Sequence, residues 1–129
     1  MEIFFHDPED VPLPPDEVHI REFKASPYPD GRRISVYLET CPFQKRPSGE
    51  VVVVNPEGKN VASVSIIETI DPKMEMTLHI RAPHVSGIHT ARALLFYEEL
   101  PSEDEMEQMT YVRPERTIVD EADFQFEID

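Results

Sequence analysis

The residues best suited to chemistry in this 129-residue chain are one cysteine, five histidines and a run of acids. Cys41 would be a nucleophile if a histidine activated it, but the sequence has no glycine-rich loop that would form an oxyanion hole. Free cysteine is usually a small buried side chain, and we adopt that interpretation for Cys41. A single cysteine also excludes an internal disulfide and a CxxC redox pair.

Two sets of side chains are candidates for cation binding. His79, His84 and His89 are spaced by five residues, and imidazoles that converge with an acid make a transition-metal site. The strand pattern described below directs His79 outward and His89 inward, so we expect no common focus. The second set is a run of acids: Glu103, Asp104, Glu105 and Glu107. These acids lack the glycine that gives calcium loops their sharp turn, and we predict neither a metal nor a cofactor.

The clearest structural signal lies in the second half of the chain. In residues 74–81 apolar and polar side chains alternate, which is the period-two pattern of a strand with one buried face. Residues 89–97 are apolar on both parities apart from Thr90 and Arg92, which is typical of a strand with both faces covered. We therefore predict that this second strand lies in the middle of a sheet.

Five further segments show strand patterns between turn-forming residues. They are residues 18–25, 34–39, 51–54, 61–70 and 117–128. Asp30 and Gly31 are typical of a tight reversal between the first two. Seven strands with almost no helical periodicity predict an all-β protein. We predict a single antiparallel sandwich domain of seven strands at residues 18–129. This pattern favours a sandwich over a barrel or a βαβ fold.

Two segments lie outside this strand pattern. Residues 1–17 are rich in proline and acids and predict an extended arm. The bulky residues Ile3, Phe4 and Phe5 indicate that the arm packs against the domain. Residues 99–116 form an acidic insert, in which Ser102 followed by Glu105 has the spacing of a capping box. The insert is therefore compatible with a helix of one or two turns.

The net charge of −14 is concentrated at the two ends of the chain. Residues 1–17 carry −6 and residues 98–129 carry −10, whereas residues 18–97 carry +2. Nucleic-acid binding needs a basic footprint, which is missing here. The sequence also shows neither a membrane-spanning apolar run of about 20 residues nor a signal peptide. We expect a soluble, cytoplasmic protein with no nucleic-acid and no membrane partner.

The segments LHIRAP and GIHTARALLF resemble the fifth and sixth strands of immunoglobulin-like and fibronectin type III-like sandwiches. In those folds a Gly-x-Tyr corner opens the sixth strand, and the tyrosine hydroxyl bonds back to the corner backbone. Here Gly87 and Ile88 match, and His89 occupies the tyrosine position, where its ring N–H can donate to a carbonyl instead. The missing cysteine pair and core tryptophan exclude an antibody-type domain. The resemblance implies a topology for about residues 18–128 and no particular activity.

The remaining candidate is a surface on the sixth strand. If its odd-numbered side chains from Ala91 to Tyr97 face the core, then Arg92, Leu94 and Phe96 project from the opposite face. We expect the strands at 51–54 and 117–128 to flank it, so that valines of one parity enlarge an apolar patch. Such a patch on a soluble protein must be covered.

The sequence leaves two ways to cover this patch. One is internal, from the arm around residues 3–5 or from the apolar side chains of the insert, which are Leu100, Met106 and Met109. The other is a partner, either another protein or a second copy that forms a dimer. We therefore hypothesise a non-enzymatic interaction or assembly module with Arg92, Leu94 and Phe96 at its interface. The alternative is a small-ligand or cation-binding module that uses the acidic insert and the nearby histidines.

Overall fold

The computed structural model describes residues 11–98 and 116–129, and these form two antiparallel β-sheets packed as a sandwich. A 3₁₀ turn at Pro15–Glu17 precedes seven strands. The strands are β1 (Ile20–Pro27), β2 (Arg33–Thr40), β3 (Ser48–Val54), β4 (Asn60–Ile66), β5 (Lys73–His79), β6 (Gly87–Glu98) and β7 (Arg116–Ile128). The prediction of an all-β, seven-stranded sandwich is confirmed.

The strands are divided three and four between the two sheets. One sheet has the order β1-β2-β5 and the other has the order β4-β3-β6-β7. All neighbouring strands in both sheets are antiparallel. Strand β6 lies between β3 and β7, so its predicted interior position and both of its predicted neighbours are confirmed.

The three-stranded sheet contributes aliphatic side chains of one parity to the core. Ile34, Val36 and Leu38 on β2 are each at most 1% exposed. Ile34 is paired with Leu78 on β5, which is also buried. The apolar side chains of the predicted alternating pattern are therefore the ones that face the core.

The four-stranded sheet meets this layer with small and branched side chains. Val51 and Val53 of β3 pair with Ala93 and Ala91 of β6, and all four are fully buried. The two alanines leave room for the branched side chains of the facing layer, which allows the two sheets to approach closely. The centre of the core is therefore the β3–β6 pair packed on β2.

A second, smaller cluster fills one end of the sandwich around Val18, Cys41 and Leu95. The β6–β7 ladder shifts register between Leu95 and Phe96, where Val119 is the extra residue of β7. This β-bulge lets Val119 pack against the cluster, out of the strict alternation of its strand.

The predicted end of β4 needs correction, and parts of the predicted arm and insert fall outside the described residues. The described part of the arm, residues 11–17, contains the 3₁₀ turn and a parallel bridge from Leu13 to Phe43. Strand β4 ends at Ile66 and not at residue 70, since Glu68 adopts a φ of 46° and turns the chain away. Residues 3–5 and the predicted helix of the insert lie outside the described residues. Within residues 11–98 and 116–129 no helix is long and apolar enough to cross a membrane.

Gly87 at the start of β6 has a backbone that other residues rarely adopt, with a φ of +126°. A Cβ added there would lie 3.0 Å from Pro56 Cγ, whereas one added at Gly49 would meet its nearest atom at 3.5 Å. We expect Gly87→Ala to lower the free energy of unfolding by about 1–3 kcal/mol. Urea unfolding of Gly87→Ala and of the control Gly49→Ala measures this effect. Equal losses in the two variants would contradict the backbone argument.

Candidate interaction face

The predicted interaction residues lie on the solvent side of the four-stranded sheet, which we call the outer face. Its centre is the even-numbered half of β6, and its flanks are the residues paired with that half on β3 and β7. The β6 residues are Thr90, Arg92, Leu94, Phe96 and Glu98; those of β3 are Val54, Val52, Glu50 and Ser48; those of β7 are Gln125, Asp123, Glu121, Ile118 and Arg116. The face therefore mixes apolar side chains with charges of both signs.

Arg92 is held by a two-pronged ion pair across the β6–β7 ladder. Its Nε donates to Asp123 Oδ1 at 2.9 Å and its Nη2 donates to Asp123 Oδ2 at 3.3 Å. The hydrogen bond from Arg92 lowers the pKa of Asp123 below its usual range. Both side chains are more than half exposed, so the pair contributes little to stability and fixes a charged spot on the outer face.

Phe96 does not project into solvent as the sequence led us to expect, because it is only 4% exposed. The guanidinium of Arg116 lies over its ring, with Cζ 3.9 Å from the ring centroid. Arg116 also donates from Nη1 to Glu50 Oε2 at 3.0 Å and from Nε to Glu98 Oε1 at 3.1 Å. Partial burial opposes ionisation, but the bonds to Glu98 and Glu50 prevail and raise the pKa of Arg116. Phe96 is therefore a buried support for the face.

The apolar surface that remains is centred on Leu94 and Ile118. Leu94 is half-buried between its paired neighbours Glu50 and Glu121. Ile118 is 51% exposed, because the bulge at Val119 turns the Ile118 side chain outward, beside Phe96. Sequence reasoning missed Ile118, because simple alternation through the Thr117–Val119 region gives no hint of the extra residue. The face thus keeps an apolar centre with one strongly exposed isoleucine.

The three histidines considered as a metal site are not brought together. His79 is exposed at the end of β5, and His84 lies in the β5–β6 connection with its Nε2 3.3 Å from Ser86 Oγ. In the part of the chain that the structure describes, no group of three His, Cys, Asp or Glu side chains could hold a metal ion. The run of acids at residues 103–107 lies outside the described residues, so the alternative of a cation-binding module that uses it is not tested.

His89 takes the corner position that the sequence assigned to it. The ring is 2% exposed and stacks on Phe126 with centroids 5.6 Å apart. Its Nδ1 lies 3.0 Å from the carbonyl oxygen of Gly87. Because a carbonyl can only accept, Nδ1 carries the proton and donates, as predicted for a histidine in the place of the corner tyrosine.

Cys41 is buried, with no measurable exposure, and its Sγ accepts a hydrogen bond from the backbone N–H of His19 at 3.4 Å. The interpretation of Cys41 as a small buried side chain is confirmed. Tyr97 closes the same end of the sandwich, since its hydroxyl donates to the carbonyl of Lys45 at 2.8 Å. Burial, with a smaller effect of Cys41, raises the pKa of Tyr97 to about 12.

No protein-family model and no curated protein matches the chain. Among solved structures, the chain is similar to a β-glucuronidase of Bifidobacterium dentium in complex with coumarin-3-O-glucuronide. The TM-score is 0.48 at 19% identity, and the match covers 86% of this chain and 18% of that enzyme. The chain therefore spans less than a fifth of the length of the enzyme, and a similarity of this extent says nothing about what this chain does.

We expect Arg116→Gln to lower the free energy of unfolding by about 0.5–1 kcal/mol, the usual contribution of an exposed cation–π contact, because it uncovers Phe96. Arg92→Gln is the matched control, since it removes an arginine ion pair from the same face without uncovering a ring. Chemical denaturation compares the two. Equal losses would contradict the covering role, as would an Arg116→Gln effect that persists unchanged in a Phe96→Leu background.

Tyr97→Phe removes one hydrogen bond and one group with a raised pKa. At neutral pH we expect the variant to be less stable by about 1 kcal/mol. The pKa of Tyr97 is about 12 in the folded protein and roughly 10 in an unfolded chain. Its stabilising effect is therefore complete below about pH 10 and is lost as the pH rises toward 12. Unfolding measured from pH 8 to pH 11 should show the gap between wild type and variant narrowing; a constant gap would contradict this.

Proposed function

We propose that the protein is a non-enzymatic interaction module of the immunoglobulin-like or fibronectin type III-like class, and that it binds another protein through the outer face. The strand order supports this class, because β4 extends the sheet that contains β3, β6 and β7, as strand C′ extends the GFC sheet in variable-type domains. The His89 corner at the start of β6 supports it as well.

The observation that carries the proposal is the exposed side chain of Ile118. The charged side chains around it are already paired with one another. Arg92 is bound to Asp123, and Arg116 is bound to Glu50 and Glu98. Half-buried Leu94 continues the apolar surface toward β3. An apolar centre surrounded by polar and charged side chains is the usual layout of a protein interface.

The charge of the face indicates the kind of partner. The four acids Glu50, Glu98, Glu121 and Asp123 outnumber the arginines Arg92 and Arg116, and the whole chain carries −14. A second copy docked on the same face would bring two acidic surfaces together. We therefore favour a different protein with an apolar centre and a basic rim, whose charges complement those of this face.

The test uses a paired change at the apolar centre, Leu94→Ser with Ile118→Ser. Its control is Ile70→Ser, because Ile70 is 78% exposed in the connection between β4 and β5 and lies off the outer face. Proteins captured from native lysate by the wild type are identified and purified, and their affinities are measured by calorimetry. We expect the paired change to weaken binding at least tenfold and the control to leave it unchanged.

Two outcomes would contradict the proposal. One is a partner whose affinity is the same for the wild type and the paired variant. The other is a loss of binding in both variants, which would place the contact outside the outer face. Thermal unfolding of all three proteins shows that the differences are not caused by a loss of folding.

A further inference from the structure

The two sheets have four edge strands, and these differ sharply in their side chains. Strands β1, β5 and β7 each carry charged residues, and β1 also ends in a proline. Strand β4 reads NVASVSI and contains neither a charged residue nor a proline. Charges and proline on an edge prevent pairing with another chain. Among the described strands, β4 is therefore the edge without this protection.

The backbone of β4 offers hydrogen-bonding groups on its open side. The β3–β4 ladder shifts register at Val53 and Val54, where Val61 is the extra residue of β4. The carbonyl of Val61 accepts from Arg81 N–H at 3.0 Å, so it points away from β3. Because backbone groups alternate along a strand, those of Ser63 and Ser65 face the same open side, while those of Val64 bond to β3.

An open groove runs beside this edge, between the two sheets. Its volume is about 430 Å³, and it is lined by Val61, Ala62 and Val64 from β4 and by Leu78 from β5, among others. The other side of the sandwich is held together by the carboxylate of Asp120 on β7, whose Oδ2 accepts from a backbone N–H of β1 at 2.7 Å. The sandwich is therefore more open along β4, where the bond from Arg81 to Val61 reaches only the start of the strand, than along β7.

Side chains of opposite charge lie at the two ends of β4. Lys59 precedes the strand and Glu68 follows it, and both side chains are exposed. Ile67, directly after the strand, is 82% exposed. The interior of the strand is uncharged, and its exposed side chains are the short ones of Ser63 and Ser65.

We infer that β4 pairs antiparallel with β4 of a second copy, which joins two four-stranded sheets into one of eight strands. A two-fold axis near Val64 makes the contact isologous, so that each copy offers the same residues. It brings Lys59 of one copy beside Glu68 of the other and places Ile67 at the groove of the other. Ser63 and Ser65 supply the backbone bonds.

A single strand pair forms a small interface, so the dimer is weak and forms at high protein concentration. The contact uses a sheet edge and leaves the outer face free, and it therefore goes beyond the interaction proposed above. The uncharged strand avoids the repulsion that two acidic outer faces would meet.

Disulfide trapping tests the geometry. In Ser63→Cys with Ser65→Cys, any axis from residue 63 to residue 65 brings cysteines of the two copies opposite each other at a bridgeable distance. The matched control is Glu121→Cys with Asp123→Cys, which has the same spacing on the opposite edge strand of the same sheet. Native Cys41 is buried and is common to both proteins. On mild oxidation we expect a covalent dimer from the β4 pair only; no dimer, or equal yields from both pairs, would overturn the inference.

Sedimentation velocity over a concentration series tests the association itself. Ser65→Lys places a charge on the exposed side of the edge, where the same charge of the second copy repels it, and should raise the dimer dissociation constant at least tenfold. Gln125→Lys adds the same charge to β7 and should leave it unchanged. A wild type that stays monomeric at millimolar concentration would overturn the inference. So would a dimer that is lost in Leu94→Ser with Ile118→Ser but kept in Ser65→Lys, since that result assigns the dimer contact to the outer face.

Discussion

The packing of the β3–β6 pair against β2 is the interaction on which the rest of this structure depends. Strands in a sheet direct alternate side chains to opposite faces, so a slip of one residue would exchange the core for the surface. Here the register is fixed by small residues on β6 that face large ones. The residues concerned are Ala91 and Ala93 on β6, Val51 and Val53 on β3, and Ile34, Val36 and Leu38 on β2. Once these are inside, the even-numbered side chains of β6 must face outward.

A β-bulge in each of two ladders then changes which groups face solvent on the outer face and on the β4 edge. On β7 the extra residue Val119 packs inward against the small cluster, and Ile118 is left outside beside Phe96. On β4 the extra residue Val61 is buried together with Ala62, and its carbonyl is used by Arg81. In both places a single additional residue bends the strand and changes which groups face solvent. The exposure of Ile118 on the outer face and the direction of the Val61 carbonyl on the β4 edge are thus consequences of bulges at the margins of a regular core.

Much of the fold could be predicted from the sequence because the core strands follow simple alternation. The strand at β5, the central position of β6 and the buried corner at His89 all follow from side-chain pattern and local chemistry. The end of β4 could not be predicted, since it depends on the positive φ of Glu68. Isoleucines at positions 67 and 70 keep the segment apolar past that point, so its composition does not mark the end of the strand.

The candidate site was less predictable, because it depends on contacts between distant residues. The alternation of β6 placed Phe96 on the correct face, but it gives no sign that Arg116, 20 positions later in the chain, lies over its ring. The edge position of β4 was equally hidden, because it follows from the order of strands in the sheet and not from any property of the strand itself. Pairwise contacts of this kind leave no periodic trace in a single sequence.

The uneven distribution of charge separates the two surfaces. The negative charge of the chain lies in residues 1–17 and 98–129, and strand β7, which borders the outer face, belongs to the second of these regions. Strand β4 belongs to the stretch 18–97, whose net charge is only +2. At the contact itself, repulsion between two copies therefore comes from strands such as β7, which carries four acids and one arginine, whereas two β4 strands bring no charge to each other. The same acidity that favours a basic partner on the outer face thus leaves the β4 edge as the part of the sheet where like molecules can meet.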